Sequence, residues 1–238
     1  MTNAQARAPA WQAGRLLLLD RMVVLIAFML VMPLVISIAI AIVIDSGYPV
    51  FFSQERLGLN GRRFQMLKFR KFPTTVGRNT RALTLADDCR CTRVGHFLTK
   101  TKLDELPQLW NVMRGDMALV GPRPEVPDFE ACFAGAFQRV LDYRPGIFGP
   151  SQAAFRAEAS LYPPDQDPEE FYREVLFPAK AALDLGYYPS RTVYGDIKWV
   201  VRGVLAVCGA AQQTPVILPR NPDPPEPTGA MAANKATL

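Results

Sequence analysis

Two adjacent carboxylates, Asp104 and Glu105, are the residues of this chain best suited to do chemistry. They lie in TKLDELPQLWNVM, residues 101–113, where apolar residues recur at spacings of three and four, as on the buried face of a helix. Pro107 is tolerated only in the first turn of a helix, because it lacks an N–H group. The helix is therefore predicted to begin near Asp104, where free backbone N–H groups favour negative charge. The pair is either a helix cap or part of a functional site.

Basic residues that could bind phosphate lie upstream of this pair. Asn60-Gly61 is a strong tight-turn signal between two strand-like runs within residues 50–72, which predicts a short hairpin. Alternation along the second run places Lys68 and Arg70 on one face. Together these two side chains could clamp a phosphate. A solvated basic edge beside anionic lipid headgroups is the alternative.

Another basic residue, Arg123, is flanked by Pro122 and Pro124 in MALVGPRPE, residues 117–125. This stretch is typical of a short buried strand followed by a rigid turn. The prolines restrict the backbone and would hold the guanidinium in one direction. A fixed guanidinium suits a diphosphate or a nucleotide, and an ordinary surface turn is the alternative.

A long apolar segment must place these groups relative to a membrane. Residues 22–44, MVVLIAFMLVMPLVISIAIAIVI, are 23 residues without a charge, which excludes a soluble protein. Pro33 divides them into arms that each reach about 16 Å, half of a hydrocarbon core about 30 Å thick. Both flanks are positively charged, and positive flanks stay in the cytoplasm. A helix that breaks at Pro33 and returns to the same face satisfies both flanks, and a kinked spanning helix is the alternative.

Further helices are predicted in the second half of the chain. We expect one helix over residues 126–145 and another over about residues 168–187, with Asp184 near its end. Residues 196–207 are apolar on one face and positive on the other, which is typical of core packing or of an interfacial helix. Six prolines from Thr214 onward indicate a disordered tail.

The composition narrows the set of partners. A net charge of +5 and a pI of about 9.1 favour anionic partners. No nucleic-acid-binding module is recognisable, so we expect no nucleic-acid partner. The chain has four cysteines without paired spacing and a single histidine, His96. These residues argue against a structural zinc site. One long apolar segment also excludes a multi-span transferase.

Three stretches of this chain resemble one protein family. They are FFSQERLGLNGRRFQMLKFR, TRVGHFLTKTKLDELPQLWNVMRGDMALVGPRP and RPGIFGP, in that order after a proline-broken membrane helix. The chain resembles the bacterial sugar transferases and, more narrowly, the small monotopic phosphoglycosyltransferases that start glycan assembly on polyprenyl phosphate. The resemblance covers roughly residues 15–207.

The resemblance implies an α/β-type monotopic membrane protein. In such a protein a re-entrant, proline-broken membrane helix joins a compact cytosolic catalytic domain with interfacial amphipathic helices. We therefore expect a cytosolic N-terminal segment (1–21), the re-entrant helix (22–44), the catalytic domain (45–210) and a disordered Pro-rich tail (211–238). Both termini are expected at the cytoplasmic face of the bacterial inner membrane.

The implied activity moves a sugar 1-phosphate from a UDP-sugar to polyprenyl (undecaprenyl) phosphate and releases UMP, the first membrane step of glycan or exopolysaccharide assembly. The family's dyad falls on Asp104, the implied nucleophile that forms an aspartyl phosphosugar, and on Glu105, which with Asp104 would hold Mg²⁺. Successive helical residues point about 100° apart. For both carboxylates to meet one metal, the backbone at 104–105 must lie at the helix start or be distorted.

The resemblance also assigns the basic residues. Lys68, Arg70 and Arg123 match family positions linked to phosphate and nucleotide recognition, and Arg144 is a weaker match of the same kind. Two stretches depart from the family pattern. Lys71-Phe72 replaces a small polar residue followed by methionine, and residues 87–95, DDCRCTRVG, replace the commoner Asp-Pro-Arg opening. Both departures leave substrate preference open.

The implied partners are a UDP-sugar, polyprenyl phosphate and inner-membrane lipid, and further candidates are a downstream glycosyltransferase and a second copy of the chain. The alternative function is a non-enzymatic membrane-surface protein that binds anionic lipid and a partner. That alternative predicts that Asp104→Asn costs only a helix cap, about 1 kcal/mol. An enzyme would instead lose all turnover while its fold stays intact.

Overall fold

The first element of the structure is a long apolar helix. A computed structural model describes residues 10–74 and 90–207 of the 238-residue chain, beginning with helix α1 (Ala10–Ser46). Within these ranges, α1 is the one helix long and apolar enough to cross a membrane. Much of its apolar surface is exposed, as at Leu30 (77%) and Ile44 (81%). Burial in a protein core does not account for such a helix, which is consistent with a monotopic membrane protein.

The apolar part of α1, Asp20–Ser46, is attached to the rest of the protein at both of its ends. Near its start, Asp20 Oδ2 accepts a hydrogen bond from Leu119 N at 3.0 Å. At its end, Arg70 Nη2 donates to Ser46 O at 2.9 Å. The helix is continuous through Pro33, and its re-entrant course stays a prediction.

α1 also contributes to the protein interior. Val24 is fully buried in an apolar cluster with Leu119, and Ile42 is buried in another cluster with Phe69 and Leu98. The two clusters use opposite ends of the apolar segment. The helix therefore packs on the compact domain along most of its length while keeping an exposed apolar side.

The predicted hairpin follows α1. Strands β1 (Phe51–Leu57) and β2 (Arg63–Phe69) pair in antiparallel fashion. In the connecting turn Asn60 has a φ of +55° and Gly61 a φ of +74°, left-handed values that these residue types tolerate best. The local turn chemistry read from the sequence is therefore confirmed.

A short irregular segment separates the next two helices. Helix α2 (Arg93–Thr101) is followed by a 3₁₀ turn (Leu103–Glu105) and then by helix α3 (Gln108–Arg114). The helix predicted to begin near Asp104 begins at Gln108, and it ends where Gly115 adopts a left-handed φ of +86° and its N–H caps the last turn.

A parallel strand pair comes next. The predicted strand is β3 (Ala118–Val120), and it pairs with β4 (Gly146–Phe148), which the sequence did not indicate. A Cβ added to Gly121 or Gly146 would collide with backbone atoms near the other glycine. Two glycines therefore permit the close approach of the chain segments that follow β3 and begin β4.

The single helix predicted over residues 126–145 is wrong. The structure has two 3₁₀ segments, Pro127–Phe133 and Gly135–Asp142. Ala134 between them is extended, and Gly135, the first residue of the second segment, has a φ of +63°. This backbone interrupts any continuous helix. The apolar spacing was nevertheless a good guide to burial, because Phe129 and Phe133 face the core.

The remaining chain is helical, and the helix predicted over residues 168–187 is confirmed with a π-helical turn inside it. Pro178 lacks the N–H that a regular α-turn would use there. The elements, in chain order, are α4 (Pro150–Ala154), a 3₁₀ turn (Glu158–Ser160), α5 (Pro168–Phe171), the π turn (Tyr172–Leu176), α6 (Phe177–Tyr187), a 3₁₀ turn (Tyr188–Ser190) and α7 (Val193–Val207).

Helix α7 shows both features expected for residues 196–207, contact with the core and an exposed apolar face. Trp199 packs against the core, but α7 contains no buried residue. Ile197, Val201 and Val204 share one exposed face. Such a face suits an interfacial helix. The predicted Pro-rich tail and the first nine residues of the N-terminal segment lie outside the described residues.

Candidate active site

The carboxylate pair lies in a distorted backbone segment. Asp104 and Glu105 belong to the 3₁₀ turn that precedes α3, and Lys102 just before them has a left-handed φ of +63°. A non-glycine residue in this conformation is uncommon and is often found where function requires it. The distortion predicted from the sequence is therefore present, and the two side chains do not diverge on a regular helix.

Glu105 is held by two cations from different parts of the chain. Its Oε1 accepts from Lys68 Nζ at 3.0 Å and from Arg123 Nη2 at 3.5 Å. Burial alone would raise the pKa of Glu105, but Lys68, Arg123 and Lys102 hold it well below its usual range. The structure thus brings together three of the residues selected from the sequence, and the cations favour the charged form of Glu105.

Asp104 has a different environment. It is 3% exposed, and its buried Oδ1 has no hydrogen-bond partner among the described residues. Burial raises the pKa of Asp104, although Lys68, Lys71 and Lys102 oppose that effect. The expectation that the helix start alone would keep Asp104 ionised therefore omitted the larger effect of burial. No side chain caps the 3₁₀ turn or α3, so capping does not explain this residue.

The pair lines a cavity of about 750 Å³. Its walls come from the hairpin, the 3₁₀ turn, the segment after β3 and helices α4, α6 and α7. A volume of this size is in the range of small-molecule sites. The charged residues that line it include Arg56, Lys68, Lys71, Arg90, Lys102, Asp104, Glu105, Arg123, Glu125, Glu158, Lys180 and Arg202.

Backbone contacts fix the turn that carries Arg123. Gly146 N donates to Pro122 O at 2.9 Å, and Arg56 Nη1 donates to Pro124 O at 3.1 Å. Arg56 is buried, and that burial lowers its pKa to about 10. The predicted rigid turn is present, and a buried arginine that the sequence did not single out supports it.

A buried charge network lies behind Arg123. Lys180 Nζ lies 2.8 Å from Glu158 Oε2 and 3.5 Å from Glu125 Oε1, and it donates to Tyr172 Oη at 3.0 Å. Burial raises the pKa of Glu158, but Lys180 and Arg123 offset this and keep it lowered. Sequence spacing gave no signal for this network, because its members come from three separate elements.

Two basic residues selected from the sequence do not pair with the carboxylates of Asp104 and Glu105. Arg70 lines the cavity, but its guanidinium donates to Ser46 O and Oγ at the end of α1, whereas Lys68 reaches Glu105. The two side chains therefore do not form one clamp. Arg144 is not among the cavity-lining residues. The charges nearest to it are those of Arg21, Asp116 and Asp20.

The donor set around the dyad fits Mg²⁺ only in part. Within the described ranges no three His, Cys, Asp or Glu side chains are placed to hold a metal together. Asp104 and Glu105 offer two carboxylates, and Asp104 Oδ1 is a buried acceptor without a partner. Mg²⁺ commonly uses one or two carboxylates and completes its shell with water and substrate phosphate. The two residues are compatible with such a site.

Comparison with known proteins finds similar sequences. The family model described as bacterial sugar transferase matches residues 13–210. The chain is 38% identical over 149 residues to UDP-glucose:undecaprenyl-phosphate glucose-1-phosphate transferase of Xanthomonas campestris pv. campestris, which covers 58% of this chain but only 30% of that protein. The chain thus spans less than a third of the length of that relative.

Two relatives match over most of their length. The uncharacterized sugar transferase EpsL of Bacillus subtilis is 34% identical over 190 residues, covering 78% of this chain and 85% of EpsL. The exopolysaccharide production protein ExoY of Sinorhizobium fredii is 29% identical over 204 residues, covering 79% of this chain and 83% of ExoY. The chain belongs to the bacterial sugar transferase family.

Proposed function

We propose that this protein transfers a sugar 1-phosphate from a UDP-sugar to polyprenyl (undecaprenyl) phosphate and releases UMP. The observation that carries the proposal is the buried, unpartnered Oδ1 of Asp104 in a cavity, beside a Glu105 that two cations hold. The relative from Xanthomonas campestris is named for a reaction of this type on UDP-glucose. The reaction would be the first membrane step of glycan or exopolysaccharide assembly.

In the first step a carboxylate oxygen of Asp104 attacks the phosphorus that bears the sugar. The bond from that phosphorus to the bridging oxygen breaks, and UMP leaves with the electron pair. An aspartyl phosphosugar remains on Asp104. The attacking form is the carboxylate of Asp104, which Lys68, Lys71 and Lys102 favour against the effect of burial, and a carboxylate needs no general base.

In the second step a phosphate oxygen of the polyprenyl acceptor attacks the same phosphorus. The acyl phosphate bond breaks and the carboxylate of Asp104 is restored. The product is a polyprenyl diphosphate sugar. One carboxylate thus serves two successive displacements, and the two substrates need not be bound at the same moment.

The neighbouring cations offset the repulsion between the carboxylate of Asp104 and the diphosphate. A carboxylate that attacks a diphosphate meets strong repulsion, which nearby positive charge must cancel. Mg²⁺ held by Asp104 and Glu105 would neutralise the diphosphate and stabilise the leaving phosphate. Lys68 fixes Glu105, and Arg123 extends from its rigid turn to hold phosphate oxygens of the nucleotide.

The fold supports a location at the cytoplasmic face of the inner membrane. Asp20 and Arg70 attach opposite ends of the apolar helix to one compact domain. That attachment favours a helix with both ends at one membrane face, since a spanning helix would carry its two ends to opposite faces. The break at Pro33 belongs to the proposal alone, because α1 is continuous there in the described structure. The exposed face of α7 would lie among lipid headgroups and bring the site to the embedded acceptor.

The test is UMP release by purified protein in nanodiscs with undecaprenyl phosphate, Mg²⁺ and a panel of UDP-sugars. We expect lipid-dependent release that chelation by EDTA abolishes. Asp104→Asn should reduce turnover by at least 10³-fold, because its amide is a poor nucleophile. It should leave the thermal unfolding midpoint within a few degrees of that of the unchanged protein.

The matched control is Asp116→Asn, which changes an aspartate outside the cavity and should retain turnover. Release that persists in Asp104→Asn, or that is insensitive to EDTA, would contradict the mechanism. Binding to anionic vesicles without release of UMP from any sugar would favour the non-enzymatic membrane-surface protein.

A further inference from the structure

The cavity has a second basic wall that the proposed mechanism does not use. Lys71 and Phe72, where the chain departs from the family pattern, lie beside Arg90, which belongs to the other departing stretch. Lys71 Nζ lies 5.2 Å from the centre of the Phe72 ring, and Arg90 Cζ lies 5.0 Å from it. Cations at these distances are attracted by the face of an aromatic ring. All three residues line the same cavity as Asp104.

This wall carries positive charge on Lys71 and Arg90. Lys71 interacts electrostatically with Lys68, Asp104, Cys91 and Lys102. Glu105 already receives Lys68 and Arg123, and Asp104 interacts electrostatically with both Lys71 and Lys102. Lys68, Lys71 and Lys102 also act on one another. Such crowding of cations is relieved when a phosphate binds among them.

The wall also lies next to the end of the membrane helix. Arg70, the neighbour of Lys71, donates to Ser46 O at the last residue of α1. Lys71 O accepts from Thr92 N at 3.0 Å, and Val94 N donates to Asp45 Oδ2 at 3.1 Å. The start of α2 therefore joins this wall to the point where the apolar segment ends.

We propose that Lys71 and Arg90, placed over the ring of Phe72, form the subsite for the phosphate of the lipid acceptor. The contacts described above join this subsite to the end of α1. Arg123 and the Lys180 network form the part of the cavity that we assign to the nucleotide. This inference rests on the proposed function. It assigns the two phosphate-bearing substrates to different walls of one cavity, with the nucleophile between them.

The test compares Lys71→Ser, Lys71→Gln and Phe72→Leu with Lys100→Ser. Lys100 is an exposed lysine of α2 outside the cavity, so its substitution removes the same charge without touching the subsite. KM is measured for undecaprenyl phosphate at saturating UDP-sugar, and for UDP-sugar at saturating lipid, in nanodiscs of neutral phospholipid.

We expect both Lys71 variants to raise KM for undecaprenyl phosphate at least tenfold and to leave KM for UDP-sugar within twofold. Phe72→Leu keeps both charges but removes the ring, so a smaller rise of severalfold is expected. Lys100→Ser should change neither constant. Equal rises in both constants, or an unchanged KM for the lipid, would overturn the assignment.

A binding measurement separates this inference from the proposed function. Tryptophan fluorescence is titrated with undecaprenyl phosphate, and separately with phosphatidylglycerol, in neutral nanodiscs. Weaker binding of undecaprenyl phosphate alone in Lys71→Gln supports the subsite even if the unchanged protein releases no UMP, an outcome that would refute only the proposed function. Equal weakening for both lipids would identify a general attraction to anionic headgroups and reject the subsite.

Discussion

Replacement of Lys180 by methionine tests the buried network behind Arg123. Lys180 is 4% exposed and lies within 3.5 Å of both Glu125 and Glu158. Methionine fills a similar volume but leaves the buried Glu125 and the half-buried Glu158 without this cation. Removal of one partner from a buried ion pair costs about 3–5 kcal/mol of unfolding free energy. For a chain of this size the midpoint of thermal unfolding should fall by about 6–20 °C.

The loss of stability should depend on pH. Burial raises the pKa of Glu158, but Lys180 and Arg123 more than offset that and keep it below the ordinary value of 4.5. A carboxyl group with a lowered pKa stabilises the fold above about pH 4.5 and loses that contribution as the pH falls. The difference between Lys180→Met and the unchanged protein should therefore be largest near pH 7 and shrink below about pH 4.5.

The assay is circular dichroism during heating in detergent, at pH 4 and pH 7. Arg173→Met is the matched control, because Arg173 pairs at 3.7 Å with an exposed Glu169 and should change stability by less than about 1 kcal/mol. Addition of Glu125→Gln and Glu158→Gln should restore much of the loss. A Lys180→Met variant as stable as the unchanged protein at pH 7 would refute the reasoning.

Two further substitutions probe other buried charges. In Arg70→Met the end of α1 loses a charged donor to Ser46, so the free energy of unfolding should fall by about 2–4 kcal/mol. KM for UDP-sugar should stay unchanged. An unchanged unfolding midpoint with a raised KM would instead support the phosphate role predicted from the sequence. Burial raises the pKa of Asp184 to about 7, so ionisation of this group removes stability as the pH rises from about 4 to 7. Asp184→Asn should flatten the dependence of the unfolding free energy on pH and raise that free energy by up to about 4 kcal/mol at pH 8. Unfolding measured at pH 4, 6 and 8 tests this. An unaltered pH dependence would exclude ionisation of Asp184 as its cause.

Features that depend on neighbouring residues were predictable from the sequence. The turn at Asn60-Gly61 and the end of α3 at Gly115 each need a residue that accepts a left-handed backbone. The irregular backbone at Asp104 agrees with the expectation of a helix start or a distortion there. That expectation followed from Pro107 and from the two adjacent carboxylates that the resemblance places at one metal. In these places the local chemistry and the fold agree, so the sequence pattern was sufficient.

Features that depend on distant contacts were not predictable in this way. β4 is three residues long and pairs with a strand more than 20 residues earlier, so no periodicity marks it. Alternation along the second run predicted Arg70 as a phosphate ligand beside Lys68. In the structure its partner is Ser46, which belongs to α1. The raised pKa of Asp104 results from burial by surrounding elements, which helix position alone does not reveal.

The attachment of α1 to the domain at both ends limits how this protein can be shortened. Val24, Ile38 and Ile42 fill positions in the two interior clusters, and Asp20 supplies an acceptor to the backbone of β3. A fragment that begins after Ser46 would lose these side chains and expose the surfaces they cover. The apolar segment is therefore an internal part of the folded unit, and a water-soluble catalytic fragment cannot be obtained by cutting it away.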